Sequence, residues 1–226
     1  MFISNSQRFI FVHIMKTGGT SVSSCLADTL AWNDISLGGT QKDTHNNAFY
    51  RKQFGLAKHS RAEAIASVIG QQTWNDYFSF AFVRHPYSRA ISLYRFAARL
   101  ANSNADKPDA PANKMPIVQA FNNTATFSGF IGQLNAENAL GIQLQKHWVT
   151  DKNGNTIVNF VGRYENIGDD YRYIAERLHL PQQQLPQKNP SGKTAVPTLT
   201  HTDYDLLFEL FREDIAFFDY DAEWRL

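Results

Sequence analysis

Residues 9–21 read FIFVHIMKTGGTS, and this stretch indicates the fold more clearly than any other part of the chain. Its first part, residues 9–14, is almost continuously apolar, which is typical of a strand buried on both faces. Gly18 and Gly19 then interrupt the run, and apolar residues recur at helical spacing over 22–30. The predicted order is therefore strand, glycine turn and helix.

A second stretch repeats this plan. Residues 78–94 read FSFAFVRHPYSRAISLY, and residues 78–83, which are apolar except for Ser79, predict another buried strand. Arg84 and His85 follow, and Pro86 suits the first turn of a helix, where its missing N–H is not needed. The repeated order of strand and helix predicts an α/β fold with a mainly parallel sheet.

Patterns of the same kinds predict the other elements. These are a helix from Arg61 to Ile69, a third strand from Thr156 to Tyr164, a helix from Asp169 to Leu178 and a final helix with an apolar stripe over 204–218. Ser60 and Glu63 have the spacing of a capping box ahead of the first of these helices. Residues 33–58 are polar and irregular, and we expect residues 101–116 to form a mobile loop.

The composition limits the classes of protein to which the chain can belong. Its 226 residues suit one domain over 1–226, and 43% hydrophobic residues can supply a sizeable core. The net charge of +1 provides no global field that would attract nucleic acid or an anionic membrane. Cys25 is the only cysteine, so neither an internal disulfide nor a Cys-based zinc site can form.

No segment of the sequence has the features of a targeting or membrane segment. The first residues lack the charged and apolar regions of a signal peptide. No apolar run approaches the ~20 residues that span a bilayer. We therefore expect a soluble, cytoplasmic protein.

The turn after the first strand has the parts of an anion site. Glycines allow positive φ and close approach of the main chain, and a helix N-terminus presents unpaired N–H groups. Lys16 adds a positive charge, and Thr20 and Ser21 add hydroxyl donors. An ordinary tight turn is the alternative. In the loop of nucleoside triphosphatases the lysine follows the glycines, whereas here it precedes them.

Other candidate residues lie near the second motif and between the two motifs. Arg84 lies at the carboxyl end of a buried strand, where open α/β sheets bind ligands, and Ser92 follows two helical turns after Pro86. His59 is a candidate base, since histidine is the usual base near neutral pH. His85 neighbours Arg84 and could touch the same ligand. We expect His13, within the first strand, to be a hydrogen-bonded core residue.

Two of these motifs resemble those of a known family. Residues 11–21 are similar to the 5′-phosphosulfate-binding loop of sulfotransferases, and residues 82–94 to their 3′-phosphate-binding segment. The similarity is closest to the branch that includes the heparan and uronosyl 2-O-sulfotransferases and many bacterial relatives. Residues 162–166 and 214–220 resemble weaker landmarks of the same family. Because the Golgi members have a membrane anchor and this sequence has none, we expect a bacterial-type enzyme.

The resemblance implies a P-loop-like three-layer fold, with a central mainly parallel sheet flanked by helices. It also implies 3′-phosphoadenosine 5′-phosphosulfate (PAPS) as donor, its 3′,5′-bisphosphate (PAP) as product, and an acceptor hydroxyl on a small molecule or glycan. The residue roles that it implies are as follows: Lys16 on the bridging oxygen of the phosphosulfate; Thr17, Gly18, Gly19, Thr20 and Ser21 on the 5′-phosphate; Arg84 and Ser92 on the 3′-phosphate; and His59 as the base.

Two other functions remain as alternatives. One is a metal-dependent nucleotide kinase on the same architecture, although no acidic residue ends the second strand to hold magnesium. The other is a nucleotide-binding module without catalysis. Tyr50, Arg51, Arg95 and Arg99 are candidates for lining an acceptor groove, with solvated surface positions as the alternative.

Overall fold

The computed structural model describes residues 1–38, 44–181, 184–186 and 197–225. The chain divides into two compact units, one formed by residues 1–84 and 145–188 and the other by 85–144 and 189–226. The single domain over 1–226 stays a prediction. Among the described residues, no helix combines the length and the apolar character needed to cross a membrane.

The first unit contains a five-stranded sheet in the order β3-β1-β2-β4-β5. The strands are β1 (Phe2–Ser4), β2 (Phe9–Val12), β3 (Ile35–Ser36), β4 (Phe78–Val83) and β5 (Phe160–Arg163). β2 pairs with β4 and β4 with β5 in parallel, whereas β1 pairs antiparallel with both β2 and β3. The α/β class is confirmed, and the sheet of the described residues is mixed, with two parallel and two antiparallel pairings.

Helices flank this sheet. The first unit contains α1 (Gly19–Ala27), α2 (Thr44–Phe54), α3 (Ala62–Ile69), α4 (Gln71–Asp76), α8 (Lys146–Val149) and α9 (Ile167–Arg177). Phenylalanine rings of β2 and β4, at positions 9, 11, 80 and 82, form a core with α1 and α9. Residues of both strands that alternate with these rings are buried as well, so β2 and β4 are buried on both faces.

Two sequence predictions for the first unit need correction. Residues 33–58 are not wholly irregular, because they contain β3 and α2. The capping box predicted at Ser60 is absent: Arg61 is the N-cap of α3 and makes no side-chain capping bond. The Ser60 hydroxyl instead accepts the N–H of Ala57 at 2.8 Å, and the Glu63 carboxylate accepts the N–H of Lys152 at 3.0 Å.

The second unit is helical. It contains α5 (Pro86–Ser103), α6 (Pro116–Asn123), α7 (Phe127–Ala136) and α10 (His201–Phe217). Pro86 lies in the first turn of α5, as predicted. Residues 101–116 are not one loop, because α5 continues to Ser103 and a 3₁₀ helix covers Pro111–Lys114. The interior holds Arg89, whose guanidinium donates to the carbonyl oxygen of Gln143 at 2.6 Å.

The last helix begins with a capping box that the sequence analysis missed. The Thr200 hydroxyl accepts the N–H of Asp203 at 3.2 Å, and the Asp203 carboxylate accepts the N–H of Thr200 at 2.7 Å. The hydroxyl of Ser128 also donates to Asp203, which links α10 to α7. Reciprocal bonds of this kind satisfy N–H groups that the first helical turn leaves unpaired.

We expect Thr200→Ala to lower the free energy of unfolding by ~1 kcal/mol, because the variant loses an N-cap acceptor. Urea denaturation followed by circular dichroism measures the change. Thr202→Ala is the control and should have a smaller effect, because Thr202 is the second residue of the helix and not its N-cap. Equal losses in the two variants would contradict the capping role of Thr200.

Candidate functional site

Three parallel strands end at one edge of the sheet, and predicted site residues follow directly after them. β2, β4 and β5 are paired in parallel, so their carboxyl ends lie at the same edge. The loop from 13 to 18 follows β2, Arg84 follows β4 and Tyr164 follows β5. Ligands of open α/β sheets bind outside this edge. The topology of the first unit therefore assembles the site.

The loop after β2 offers main-chain N–H groups to an anion. α1 begins at Gly19, and its N-cap Gly18 lies in the left-handed region at φ 81°. The carbonyl oxygen of Gly18 accepts the N–H of Ser21 at 2.9 Å. Among the described residues, no acceptor takes the N–H groups of Gly19 and Thr20. These groups, with the positive end of the helix dipole, form a site suited to phosphate or sulfate.

The hydroxyls of this loop are not equivalent. Thr17 is buried, and its hydroxyl donates to the carbonyl oxygen of Ile14 at 3.1 Å. That side chain is therefore engaged within the protein, and only the main chain of Thr17 can serve a ligand. Thr20 is exposed and Ser21 is half-buried, so their hydroxyls are the ones placed to reach a bound anion.

The two glycines are required by the packing of the loop on its neighbours. A Cβ on Gly18 would lie 2.5 Å from Cδ1 of Ile167 and 3.0 Å from Cδ2 of Tyr164. A Cβ on Gly19 would lie 2.2 Å from Nε2 of His13. The distances of 2.5 Å and 2.2 Å are too short for real contacts, so a side chain at either position would force the loop or these neighbours to shift. The sequence analysis assigned the glycines to the approach of a ligand, and the structure adds this internal role.

Lys16 is held in an unusual main-chain conformation. Its φ is 67°, in the left-handed region that residues other than glycine seldom adopt. Such strain persists only where surrounding contacts impose it, and it concentrates at functional sites. One of those contacts is a hydrogen bond of 3.4 Å from the Arg84 guanidinium to the carbonyl oxygen of Lys16. Two residues of the predicted donor site are thus in contact through the main chain of Lys16.

Arg84 lies over an aromatic ring. Its Cζ is 4.0 Å from the ring centroid of Tyr164, a distance at which cation and ring attract each other. The same ring borders Gly18, so Tyr164 contacts both the arginine and the anion-binding loop. Tyr164 is thereby brought into the site, a placement that its sequence motif had not indicated.

His59 contacts the end of β2. Its Nδ1 is 2.7 Å from the carbonyl oxygen of His13. A carbonyl oxygen can only accept, so Nδ1 carries the proton and the neutral ring has its lone pair on Nε2. Burial lowers the pKa of His59 to about 4, although the hydrogen bond to His13 by itself raises this pKa. At neutral pH the ring is therefore unprotonated at Nε2, the state that a general base requires.

His13 differs from its prediction. It is buried, and its ring contacts that of His59 edge-on, with centroids 4.8 Å apart. Its Nδ1 has no hydrogen-bond partner among the described residues, so the expectation of a fully hydrogen-bonded core residue is wrong. Burial also lowers the pKa of His13. Within the described ranges, no group of three or more His, Cys, Asp and Glu side chains is placed to bind a metal ion.

The other two residues predicted near Arg84 belong to the second unit. Ser92 is half-buried on α5. His85 is buried: its Nε2 donates to the carbonyl oxygen of Asp221 at 2.9 Å, and its Nδ1 accepts the N–H of Tyr87 at 3.3 Å. Both ring nitrogens of His85 are thus engaged, which contradicts the prediction that it touches the ligand.

Two buried residues that the sequence analysis overlooked contact the site. Gln145 is hydrogen-bonded to the main chain of Arg84, and Trp148 to the main chain of His59. Neither belongs to a recognised motif or an apolar stripe. For Tyr164 a signal was available, because it is the last residue of the third predicted strand and so belongs at the same sheet edge as Arg84.

Comparison with known proteins identifies a family for the chain. A model of the sulfotransferase family matches residues 1–221 of the chain, which includes parts of both units. No curated protein and no solved structure matches the chain.

We expect the free energy of unfolding to rise between pH 4 and pH 6.5. The pKa of native His59 is about 4, against 6.5 for an ordinary histidine, so only the unfolded chain binds this proton in that range. Urea denaturation across this pH range measures the slope. His59→Asn, whose side-chain amide nitrogen occupies the position of Nδ1 and does not titrate, should reduce the slope, and an unchanged slope would contradict the lowered pKa.

Proposed function

Since this chain belongs to the sulfotransferase family and is therefore a transferase of the sulfotransferase type, we propose that it takes the sulfuryl group from PAPS and passes it to a hydroxyl of a carbohydrate. The observation that carries this proposal is the position of a hydrogen-bonded neutral histidine beside a cationic anion-binding loop. His59 contacts the carbonyl oxygen of His13, three residues before Lys16. A proton acceptor and a stabiliser of negative charge are the two groups that transfer to a hydroxyl needs.

The loop after β2 fits the 5′ end of such a donor. The unpaired N–H groups of Gly19 and Thr20 suit a tetrahedral anion at a helix N-terminus. The hydroxyls of Thr20 and Ser21 extend the set of donors. Thr17 and Gly18 complete the proposed 5′-phosphate site through the main chain. Under this proposal the fold is P-loop-like and the two units form one sulfotransferase domain over 1–226.

Arg84 is the proposed ligand of the 3′-phosphate. A guanidinium can offer two parallel hydrogen bonds to a phosphate, and its charge cannot be lost near neutral pH. The ring of Tyr164 supports its Cζ at 4.0 Å and limits where the side chain can move. Ser92 is proposed as a second ligand of the 3′-phosphate only because it follows Arg84 by eight residues.

PAPS, when bound, supplies a sulfuryl group joined to phosphate through a bridging oxygen. His59 takes the proton of the acceptor hydroxyl at Nε2, because Nδ1 is already occupied by its bond to His13. Lys16 and the N-terminus of α1 stabilise the negative charge that grows on the bridging oxygen. An anion held at this loop also favours the protonated form of His59, so it raises the pKa of the base as the reaction requires.

The proposed acceptor is a carbohydrate, and this proposal is supported by an aromatic surface on which a sugar ring could pack. Phe49, Tyr50 and Phe54 of α2 contact one another with centroids 5.6–6.0 Å apart, and Phe49 and Phe54 are about half exposed. Phe54 precedes His59 by five residues. Exposed aromatic faces offer apolar area to the C–H faces of sugars, and Arg51 beside them can bind polar substituents.

We expect Lys16→Ala to lower kcat by about 100-fold, since removal of one donor to a developing charge commonly costs ~3 kcal/mol. The measurement is transfer of ³⁵S-sulfate from labelled PAPS to a panel of neutral and anionic oligosaccharides. Lys152→Ala is the control and should retain wild-type transfer, because Lys152 is an exposed lysine outside the proposed donor and acceptor surfaces. Full activity of Lys16→Ala would remove this residue from catalysis.

In the same assay, His59→Ala should lose about 10²–10⁴-fold in kcat, the usual contribution of a positioned base. Its affinity for PAP should change little, because the base is assigned to the acceptor and not to the donor. Wild-type transfer by His59→Ala would assign the role of base to another group.

Arg84→Ala should weaken PAP binding by at least tenfold in isothermal titration calorimetry, as expected for the loss of a charge-assisted hydrogen bond. Arg177→Ala is the matched control. Arg177 lies 5.7 Å from the ring centroid of Phe78, at the opposite end of β4, so this variant also loses an arginine–aromatic contact. An affinity of Arg84→Ala equal to that of the control would exclude Arg84 from the donor site.

A further inference from the structure

One short segment of the first unit contacts the main chain of two residues with proposed functions, Arg84 and His59. Gln145 and the helix α8 that follows it form this segment. Gln145 is 61 residues after Arg84 and 86 residues after His59 in the sequence. Gln145 and Trp148 have no exposed surface. Their polar atoms are nevertheless hydrogen-bonded, and the partners are the main chains of Arg84 and His59.

Gln145 holds the peptide groups on both sides of Arg84. Its Oε1 accepts the N–H of Arg84 at 3.0 Å, and its Nε2 donates to the carbonyl oxygen of Arg84 at 2.8 Å. β4 ends at Val83, so the main-chain groups of Arg84 have left the sheet and need other partners. Two bonds from one amide fix the orientation of this residue as a strand neighbour would.

Trp148 holds the main chain of His59. Its Nε1 donates to the carbonyl oxygen of His59 at 2.9 Å, while the ring of His59 is bonded to His13. Arg61 lies over the indole, with its Cζ 5.5 Å from the ring centroid. His59 is thus anchored through its main chain and its ring, although it lies outside any helix or strand.

The two anchoring side chains share one face of one helical turn. Gln145 is the N-cap of α8, and its φ of −63° and ψ of −32° are helical. Residues three apart in a helix lie on the same face, so Gln145 and Trp148 keep a fixed separation. A single turn therefore sets the position of Arg84 relative to His59.

We propose that Gln145 and Trp148 are positioning residues, which hold the phosphate-binding arginine and the catalytic base in register through one turn of helix. This inference rests on the roles proposed above for Arg84 and His59. It assigns the two residues different effects: Gln145 acts on donor affinity through Arg84, and Trp148 acts on the ring of His59.

Two measurements on the same four proteins test the proposal. The proteins are the wild type, Gln145→Met, Trp148→Phe and Trp74→Phe. Trp74 is the matched control, because it is a buried tryptophan whose Nε1 also donates to a main-chain oxygen, that of Ile157 at 3.1 Å. Calorimetry measures the affinity for PAP, and long-range ¹H–¹⁵N NMR at pH 7 measures which ring nitrogen of His59 carries the proton.

Gln145→Met should weaken PAP binding about tenfold, because Arg84 is no longer held in place before the phosphate binds and must be ordered on binding. It should leave His59 protonated at Nδ1. Trp148→Phe should bind PAP as the wild type does but show a mixture of the two His59 tautomers. Trp74→Phe should change neither property. A general loss of stability would alter both properties together, so the crossed pattern is specific to positioning.

Wild-type PAP affinity in a folded Gln145→Met, or an unchanged single tautomer in Trp148→Phe, would overturn the proposal. If Gln145→Met does not fold, Gln145→Glu replaces it, since it keeps an acceptor for the N–H of Arg84 and should bind PAP less tightly than the wild type. Failure of the proposed function gives a different result: the wild type itself does not bind PAP, or Arg84→Ala binds it as tightly as the wild type.

Discussion

The parallel pairing of β2 with β4 and of β4 with β5 is the constraint on which the site depends. Parallel strands end at the same edge, so three chain segments far apart in sequence meet there. The pairing brings the loop containing Lys16 next to Arg84, and it brings Tyr164 next to both. Because β2 and β4 are buried on both faces, hydrophobic burial holds this register in place.

The packing around the loop links the fold to its proposed chemistry. Gly18 and Gly19 have no Cβ, so the loop can lie against Tyr164 on one side and His13 on the other. His13 in turn fixes the tautomer of His59 through its carbonyl oxygen. One loop thus supports the anion site and orients the base. A substitution at either glycine would disturb both functions, since it would shift the loop from these neighbours.

The sequence predicted those features that local patterns encode. β4 was predicted with its exact bounds, because an apolar run ends there at Arg84. β1 and β3 were missed, since strands of two or three residues have no detectable period. The bonds from Gln145 to Arg84 span 61 residues and depend on tertiary packing, so no local pattern could predict them. The resemblance of residues 11–21 and 82–94 to sulfotransferase motifs predicted the family, and the family model confirms it.

The central claim is that the loop from Lys16 to Ser21, together with Arg84, forms a site for a nucleotide that carries a 3′-phosphate and a 5′-phosphate. A thermal shift measurement that compares PAP with ATP and magnesium tests it most directly, because a ligand stabilises the native state in proportion to the logarithm of its concentration over Kd. The account predicts a clear rise in Tm with PAP and little change with ATP and magnesium. A rise with ATP and magnesium but none with PAP would contradict it.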